Sequence, residues 1–207
     1  PVGDRMLFGE YSACLNLGGI ANVSYEDAGR RTAFDVCPAN MLLNHLSQQL
    51  GQPYDNNGVL AAGGKVNGQL LDSLNRLPYY QLKGSKTLGR EWFEENILPI
   101  VESTGMSIPD LLRTSTEHIA YQVARSLSGS AYGKMLVTGG GALNTYLVSR
   151  IRALTDFEVL IPNRQLVNFK EALIFAFLGI LRWRNDINCL ASVTGASRDS
   201  CSGVIIA

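Results

Sequence analysis

Hydrophobic and polar positions alternate along the first part of the chain in a way that predicts three short strands. The two connections between them are typical of hairpin turns: the pair Gly18-Gly19, and a polar stretch at 26–30 that contains Gly29. The pattern therefore predicts an antiparallel meander with strands at 12–17, 21–25 and 32–36.

A helical period replaces this alternation after the third strand. Pro38 is expected to open a helix, because proline is favoured in a first helical turn, and Gly51 is expected to end it. The apolar face of this helix consists of Met41, Leu42, Leu46 and Leu50. The segment 51–107 is irregular apart from a short helix predicted at 69–77, and we interpret it as an insertion that carries specificity rather than core.

The second half of the chain alternates helices with strands. Ser107 is a good N-cap for a helix that Gly129 ends, and strands are predicted at 135–138 and 157–161 with a helix between them. A last helix over 171–184 is apolar almost all round, so we expect it to be buried. This order predicts an α/β fold, with helices on the faces of a mixed sheet that contains the antiparallel three-strand meander.

Composition disfavours several classes of partner. The 207 residues are 46% hydrophobic, and 18 basic residues balance 18 acidic ones, so no long-range field attracts nucleic acid or an anionic membrane surface. The longest apolar run, 172–181, has ten residues, whereas a bilayer span needs about 20. Four cysteines without metal-binding spacing, in a chain without a signal peptide, predict reduced thiols in the cytoplasm and no metal site.

Two glycine turns are candidate ligand-binding loops. Gly18-Gly19, followed by Asn22, would let phosphate oxygens approach backbone N–H groups, although an ordinary hairpin uses the same residues. Gly139-Gly140-Gly141, followed by Asn144, leads from a strand into a helix, where a ligand could lie flat on the backbone; close helix–strand packing explains the glycines equally well. A dinucleotide-binding fold is disfavoured, because Asn144 stands where that fingerprint requires glycine.

Four polar residues are candidates for substrate binding. Asp35 ends a strand and Asn40 follows in the first helical turn, where polar groups of α/β proteins meet ligands, although a capping carboxylate would look the same. Arg90 could bind a carboxylate, or could pair with Glu91 or another acid nearby. Glu171, at the start of the last predicted helix, could cap that helix, face a cleft, or both.

Seven sequence blocks, in order and over nearly the whole chain, resemble the anhydro-N-acetylmuramic acid kinases. They are LNLGGIAN at 15–22, FDVCPANML at 34–42, YDNNG at 54–58, KTLGREWF at 86–93, VTGGGALN at 137–144, KEALIFAFLG at 170–179 and SVTGAS at 192–197. The resemblance implies one lobe of an actin-like ATPase and sugar-kinase fold (ribonuclease H-like), in which two lobes clamp ATP. It implies that LNLGGIAN is a phosphate loop, VTGGGALN the adenosine loop and KEALIFAFLG a helix at the hinge. The family's T-G-P-G-N pattern is altered here, since Cys37 and Ala39 replace its two glycines.

The resemblance also implies a reaction with ATP and Mg²⁺. In the family, water attacks the anomeric carbon and opens the 1,6-anhydro bridge, and the freed O6 takes the γ-phosphoryl group of ATP. The product is N-acetylmuramic acid 6-phosphate, made during peptidoglycan recycling. The sugar carries a lactyl carboxylate, which is the group that Arg90 would bind.

The family's G-T-S-x-D-G loop and the aspartate that activates water do not occur in this sequence. We therefore expect a C-terminal lobe, with its core at 10–50 and 108–207, that contains no catalytic residue and is inactive alone. Two alternatives remain open: a non-catalytic nucleotide- or sugar-binding module, and another sugar or acyl kinase of the same fold. A homodimer, formed through an exposed lobe interface, also remains open.

Overall fold

The computed structural model describes residues 1–130 and 132–206, and it contains a five-stranded mixed sheet in the order β3-β2-β1-β4-β5. The first three strands form an antiparallel meander, whereas β4 and β5 run parallel to β1. The predicted α/β fold and meander are confirmed. The strands are β1 (Ala13–Leu17), β2 (Ile20–Asp27), β3 (Arg30–Pro38), β4 (Lys134–Thr138) and β5 (Glu158–Leu160).

Helices cover both faces of this sheet. They are α1 (Val2–Leu7), α2 (Asn40–Gln48), α3 (Val59–Gly63), α4 (Gly68–Asn75), α5 (Arg90–Asn96), α6 (Leu98–Glu102), α7 (Ile108–Ser126), α8 (Thr145–Leu154), α9 (Arg164–Trp183) and α10 (Ala191–Thr194). Short 3-10 turns occupy Asn56–Gly58, Pro78–Gln81 and Gly140–Leu143.

Alternation along β1 separates the two faces of the sheet. Leu15 and Leu17 point into the main core, which includes buried residues of α2, α7 and α8, whereas Cys14 points the other way, toward Phe8 and α9. The long helix α7 begins as predicted, because the side chain of Ser107 accepts a hydrogen bond from the N–H of Asp110.

The start of α2 differs from the sequence prediction. Pro38 is the last residue of β3, paired with Ile20, and the helix begins only at Asn40. The reason lies in the preceding hairpin: the carbonyl of Gly19 accepts hydrogen bonds from the N–H groups of Ala39 and Met41. A tertiary contact thus fixes where the helix begins, and the prediction that Pro38 opens it was wrong.

The segment 51–107 belongs to the core, contrary to the interpretation that it lies outside it. It contributes buried side chains from four helices, a 3-10 turn and two connecting positions, Leu88 and Ile97, to the main hydrophobic cluster. These are Ala61, Leu70, Leu74, Tyr79, Tyr80, Leu88, Phe93, Ile97 and Val101. Each element of the segment is too short to show a clear period, so the sequence pattern did not reveal its buried face.

The last long helix is neither as short nor as buried as predicted. It starts seven residues earlier, at Arg164, because the side chain of Asn163 accepts a hydrogen bond from the N–H of Leu166 and caps it. Only Val167, Lys170 and Leu181 of α9 are buried. The apolar composition of the helix indicates that one side of it packs against the rest of the chain. It does not indicate whether anything covers the opposite side.

Candidate functional site

A crevice opens where β1 and β4 end side by side. The two strands are parallel neighbours, and the chain leaves β1 toward β2 on one side and β4 toward β5 on the other. Such a switch point at the carboxyl ends of strands is where α/β sheets bind ligands. Gly18-Gly19 follows β1 and Gly139–Gly141 follows β4, so both predicted loops lie at this crevice.

Two cavities meet at Gly140, which lines both. The first has a volume of about 850 Å³ and contains six of the predicted site residues: Gly18, Asn22, Asp35, Gly139, Gly140 and Glu171. The second, of about 720 Å³, contains Asn40, Gly140, Gly141 and Asn144. Gly18 of the first turn and Gly139 and Gly140 of the second therefore line the same cavity.

The first glycine turn offers free backbone donors. Within the described residues, the N–H groups of Gly18 and Gly19 donate no hydrogen bond, whereas the carbonyl of Gly18 accepts one from the N–H of Asn40 at 3.1 Å. The turn is thus held from behind by the start of α2 while its donors remain available to an anion.

The three glycines of the second turn serve two purposes. A Cβ at Gly139, whose φ is 82°, would lie 2.5 Å from Oδ1 of Asn16, and one at Gly141 would lie 2.7 Å from Cβ of Leu17. These two glycines allow the turn to pack against the end of β1. Gly140 is exposed, has no positive φ, and its Cβ would come no closer than 3.6 Å to Asn40. The packing explanation therefore applies to Gly139 and Gly141, whereas Gly140 has no such contact and lines both cavities.

Asn40 joins the two turns. Its side-chain Nδ2 donates to the carbonyl of Leu17 at 3.0 Å, and its amide lies beside Gly140 and Gly141. Asn144 acts mainly as the N-cap of α8, since its Oδ1 accepts a hydrogen bond from the N–H of Leu147 at 3.0 Å. Both side chains hold backbone in place at the second cavity.

Asp35 anchors a neighbouring loop at the first cavity. Its Oδ2 accepts hydrogen bonds from the hydroxyl of Thr87 and the N–H of Leu88, each at 2.8 Å. Lys86 of the same loop lines the cavity, and burial, followed by the charge of Arg125, lowers the pKa of Lys86. Sequence analysis assigned no role to Lys86, although it begins the KTLGREWF block; its ammonium donates to the carbonyl oxygens of Tyr79 and Leu82.

Glu171 and Arg90 occupy positions different from those expected. Glu171 lies inside α9 rather than at its start, and its side chain is exposed at the first cavity. Arg90 lines neither cavity. Its side chain is 78% exposed, and its Nε lies 2.7 Å from Oε1 of Glu94, so it forms an ion pair of the kind that was the alternative explanation.

A buried ionic cluster lies at one wall of the first cavity. Nζ of Lys170 lies 2.6 Å from Oδ1 of Asp4, and the hydroxyl of Ser24 donates to Oδ2 of Asp4 at 2.6 Å. Burial by itself would raise the pKa of Asp4, but the ammonium of Lys170 and the hydroxyl of Ser24 outweigh it and hold that pKa below its usual value. The cluster ties α1 and α9 to β2. Sequence spacing could not reveal it, because its members lie far apart along the chain.

The YDNNG block forms part of the wall of the second cavity. The carboxylate of Asp55 accepts hydrogen bonds from the N–H groups of Leu60 and Ala61 at 2.9 Å, which shapes the loop. Gly58 has a φ of 72°, and a Cβ there would lie 2.5 Å from Oδ1 of Asn144. The loop is therefore seated directly on the start of α8.

No helix within 1–130 and 132–206 is long and apolar enough to cross a membrane. Over the same ranges, no group of three or more histidine, cysteine, aspartate or glutamate side chains is placed to hold a metal ion.

The fold defines the class of protein. The structure is similar to the activator of the 2-hydroxyisocaproyl-CoA dehydratase from Clostridium difficile with bound ADPNP, with a TM-score of 0.55 at 17% identity over 90% of this chain and 67% of that chain. It is also similar to component A of the (R)-2-hydroxyglutaryl-CoA dehydratase of Acidaminococcus fermentans, with a TM-score of 0.50 at 16% identity over 83% of this chain and 62% of that one. The chain therefore shares the mixed α/β fold of these two proteins.

The chain belongs to the anhydro-N-acetylmuramic acid kinase family, whose model matches residues 4–207. Relatives that carry this name are 31% identical in Hydrogenovibrio crunogenus, over 99% of this chain and 58% of that protein, and 36% identical in Vibrio cholerae, over 92% of this chain and 54% of that protein. A third, from Shewanella halifaxensis, is 35% identical over 91% of this chain and 54% of that protein. The chain thus spans a little over half the length of the curated relatives it matches.

Proposed function

We propose that this chain forms one lobe of an enzyme that phosphorylates 1,6-anhydro-N-acetylmuramic acid with ATP. Water adds to the anomeric carbon, the bond from C1 to O6 breaks, and O6 takes the γ-phosphoryl group, which releases ADP and a proton and gives N-acetylmuramic acid 6-phosphate. Family membership supports this reaction. The structural observation that carries it is the meeting of Gly18-Gly19 with Gly139–Gly141 at the crevice between β1 and β4.

The phosphates of ATP would bind at the first glycine turn. The unpaired N–H groups of Gly18 and Gly19 are donors for phosphate oxygens, and Asn22, on the adjoining strand, lines the same cavity. The catalytic contribution of these groups is to hold the transferring group and to neutralise its charge.

Adenosine would occupy the second cavity. Gly140 and Gly141 form its floor, and Asn144 stands at its edge with Oδ1 engaged in the helix cap and Nδ2 left for the ligand. Because Gly140 lines both cavities, a nucleotide crossing this residue would have its base in one cavity and its phosphates in the other.

The sugar would lie at the far end of the first cavity, beside Asp35 and Glu171. Lys86 lines this cavity whereas Arg90 does not, so Lys86 is the better-placed cation for the lactyl carboxylate. Arg90 would have to leave Glu94 to reach the sugar, and its assignment to the sugar stays a prediction. Asn40 would act on the sugar indirectly, by holding the two glycine turns together.

Mg²⁺ would arrive on the phosphates of ATP and neutralise charge on the transferring group. The residues present fit such an ion, since Oδ1 of Asp35 accepts no hydrogen bond in the described part of the chain and offers a carboxylate oxygen at the first cavity. The proposed reaction belongs in the cytoplasm, where ATP is available.

The helix α9 provides the surface we propose for self-association as a homodimer. Large apolar side chains are exposed along it, including Phe175 at 66% and Trp183 at 78%. Phe169, Leu173 and Ile180 extend the same exposed region. An apolar area of this kind on one long helix is typical of a protein interface.

A chimeric enzyme tests the proposed reaction. Residues 1–207 would replace the matching 54% of the Vibrio cholerae relative, so that the remaining part of that protein supplies the expected aspartate and first phosphate loop. We expect ATP-dependent formation of the 6-phosphate from the anhydro sugar by the chimera and none by the 207-residue chain alone. A folded chimera that phosphorylates other sugars but not this one would refute the substrate assignment.

A further inference from the structure

Four polar residues form a row across four neighbouring strands at the floor of the first cavity. Asp35 of β3 is paired with Asn22 of β2, Asn22 with Asn16 of β1, and Asn16 with Thr138 of β4. All four line the cavity. Neighbouring strands are about 4.8 Å apart, so Asp35 is separated from Asn16 by about 10 Å and the row has two distinct ends.

Thr138, at the β4 end of the row, has a hydroxyl with no partner. The residue is 1% exposed, and its Oγ1 makes no hydrogen bond in the described structure. Buried hydroxyls are nearly always paired, because an unpaired one has lost its water without compensation. A buried, unpaired hydroxyl that lines a cavity indicates a missing ligand group.

Asn16 lies beside Thr138, between the two glycine turns. Its Oδ1 is directed toward Gly139 and its Nδ2 toward Gly18, as the positions of added Cβ atoms show: these would lie 2.5 Å and 3.4 Å from the two amide atoms. No described residue hydrogen-bonds to this amide. Asn16 is therefore the side chain around which both turns are built, and its NH₂ group faces the same space as the free N–H groups of Gly18 and Gly19.

We propose that Asn16 and Thr138 together bind a phosphate oxygen of the nucleotide, between the two glycine turns. This inference rests on the proposed function and deepens it. Both side chains are neutral donors, the amide through Nδ2 and the hydroxyl through Oγ1, and two backbone donors lie next to them. A cluster that offers several donors and contains no carboxylate is suited to an anion.

The sugar is the less suitable occupant of this end of the row. The carboxylate that would accept hydrogen bonds from sugar hydroxyls, that of Asp35, lies at the opposite end, two strands from Asn16 and three strands from Thr138. The carboxyl ends of the parallel pair β1 and β4 are also the position where this class of sheet binds phosphate.

Binding of ADP and of adenosine to the 207-residue chain, followed by NMR titration, tests the inference. Thr138→Val keeps the shape of the side chain and removes its hydroxyl, Asn16→Asp replaces the NH₂ donor by a negative charge, and Thr138→Ser restores a hydroxyl. Thr116→Val is the matched control, since Thr116 is equally buried but donates to the carbonyl of Leu112 in α7, away from both cavities.

We expect Thr138→Val to weaken ADP binding on the order of tenfold, as loss of one hydrogen bond to a charged group does, and to leave adenosine binding unchanged. Asn16→Asp should weaken ADP binding more, and Thr138→Ser should restore it. The melting temperature of Thr138→Val should not fall, because no protein partner is lost, whereas that of Thr116→Val should fall while its ADP affinity stays at the wild-type value.

Equal ADP affinity for wild type, Thr138→Val and Asn16→Asp would overturn the inference and leave the proposed function intact. Equal weakening of ADP and adenosine would also overturn it, since the two residues would then contact the nucleoside. A wild-type chain that binds neither ligand at millimolar concentration would overturn the inference and the nucleotide site together.

Discussion

Three consecutive glycines at 139–141 have different neighbours, and substitutions at them should separate stability from ligand binding. Gly140→Val adds atoms at an open position where φ is not positive, so the free energy of unfolding should change by less than about 1 kcal/mol. The affinity for ADP should fall on the order of tenfold, because the side chain occupies the space that both cavities share.

The flanking glycines are the controls for this measurement. Gly139→Ala forces a Cβ against Asn16 at a φ of 82°, and Gly141→Ala forces one against Leu17, so each should lower stability by about 1–3 kcal/mol in urea denaturation. If Gly140→Val is as destabilising as these two, or binds ADP as wild type does, this residue does not line the nucleotide site.

His118 makes stability depend on pH. Burial lowers the pKa of His118 to about 3, and its ring nitrogens lie 2.7 Å from Oδ1 of Asn75 and 3.0 Å from the hydroxyl of Tyr80. The unfolded chain takes up a proton near pH 6.5 and the folded chain does not, so the contribution of the neutral ring is complete above pH 6.5 and is lost as pH falls toward 3. Between pH 7 and pH 5 the free energy of unfolding should fall by about 2 kcal/mol.

Urea denaturation at several pH values between 5 and 7 measures this effect. His118→Gln keeps hydrogen-bonding capacity and removes the titrating group, so its stability should vary less over this range. His45→Gln changes a histidine that is partly exposed beside Glu102 and serves as the matched control. A wild-type stability that is flat from pH 7 to pH 5 would contradict the prediction.

At the scale of elements, one buried ion pair joins α1 to α9. Lys170→Met would leave the carboxylate of Asp4 buried without its cation, and we expect it to lower the free energy of unfolding by about 3 kcal/mol. The double variant Asp4→Leu with Lys170→Met removes both charges and should recover most of that loss.

An exposed ion pair that follows the C-terminal end of α9 provides the comparison. Nε of Arg184 lies 2.8 Å from Oδ2 of Asp186, and both side chains are largely solvated, so Arg184→Met should change stability by less than about 1 kcal/mol. Equal effects of Lys170→Met and Arg184→Met in urea denaturation would show that burial of the Asp4 pair is unimportant.

At the scale of the whole molecule, the exposed face of α9 predicts association. Sedimentation velocity should show a dimer at tens of micromolar, and Phe175→Asp with Trp183→Ser should shift it to a monomer without loss of helical content, since both side chains lie outside the core. Tyr132→Ser changes another exposed aromatic residue, at 76%, which is not part of α9, and should leave the dimer intact. A wild-type chain that is monomeric at all concentrations would show that this face does not pair with itself.

The sequence determined by itself those features whose cause is local. The alternation of polar and apolar residues over 12–36 predicted the meander, and Ser107 predicted the start of α7. The seven sequence blocks that resemble known kinases indicated the same family that the family model identifies. Each depends on residues close together in the chain: a hairpin turn, a capping side chain, a motif. The same holds for the two glycine turns, whose positions at the ends of β1 and β4 follow from their neighbours in sequence.

Only the tertiary structure decided which residues share a site. The register that aligns Asp35, Asn22, Asn16 and Thr138 is set by strand pairing across the sheet, and sequence spacing contains no information about which strands pair. The ion pair between Asp4 and Lys170 also depends on tertiary structure, because the two residues lie far apart in the sequence. The burial of α9 is a further example: its composition is apolar almost all round, but only the side that packs on the rest of the chain is buried. Arg90 shows that a sequence motif does not fix the partner of a side chain. Its motif suggested that it binds a ligand, whereas in the structure it pairs with Glu94 and is largely exposed to solvent.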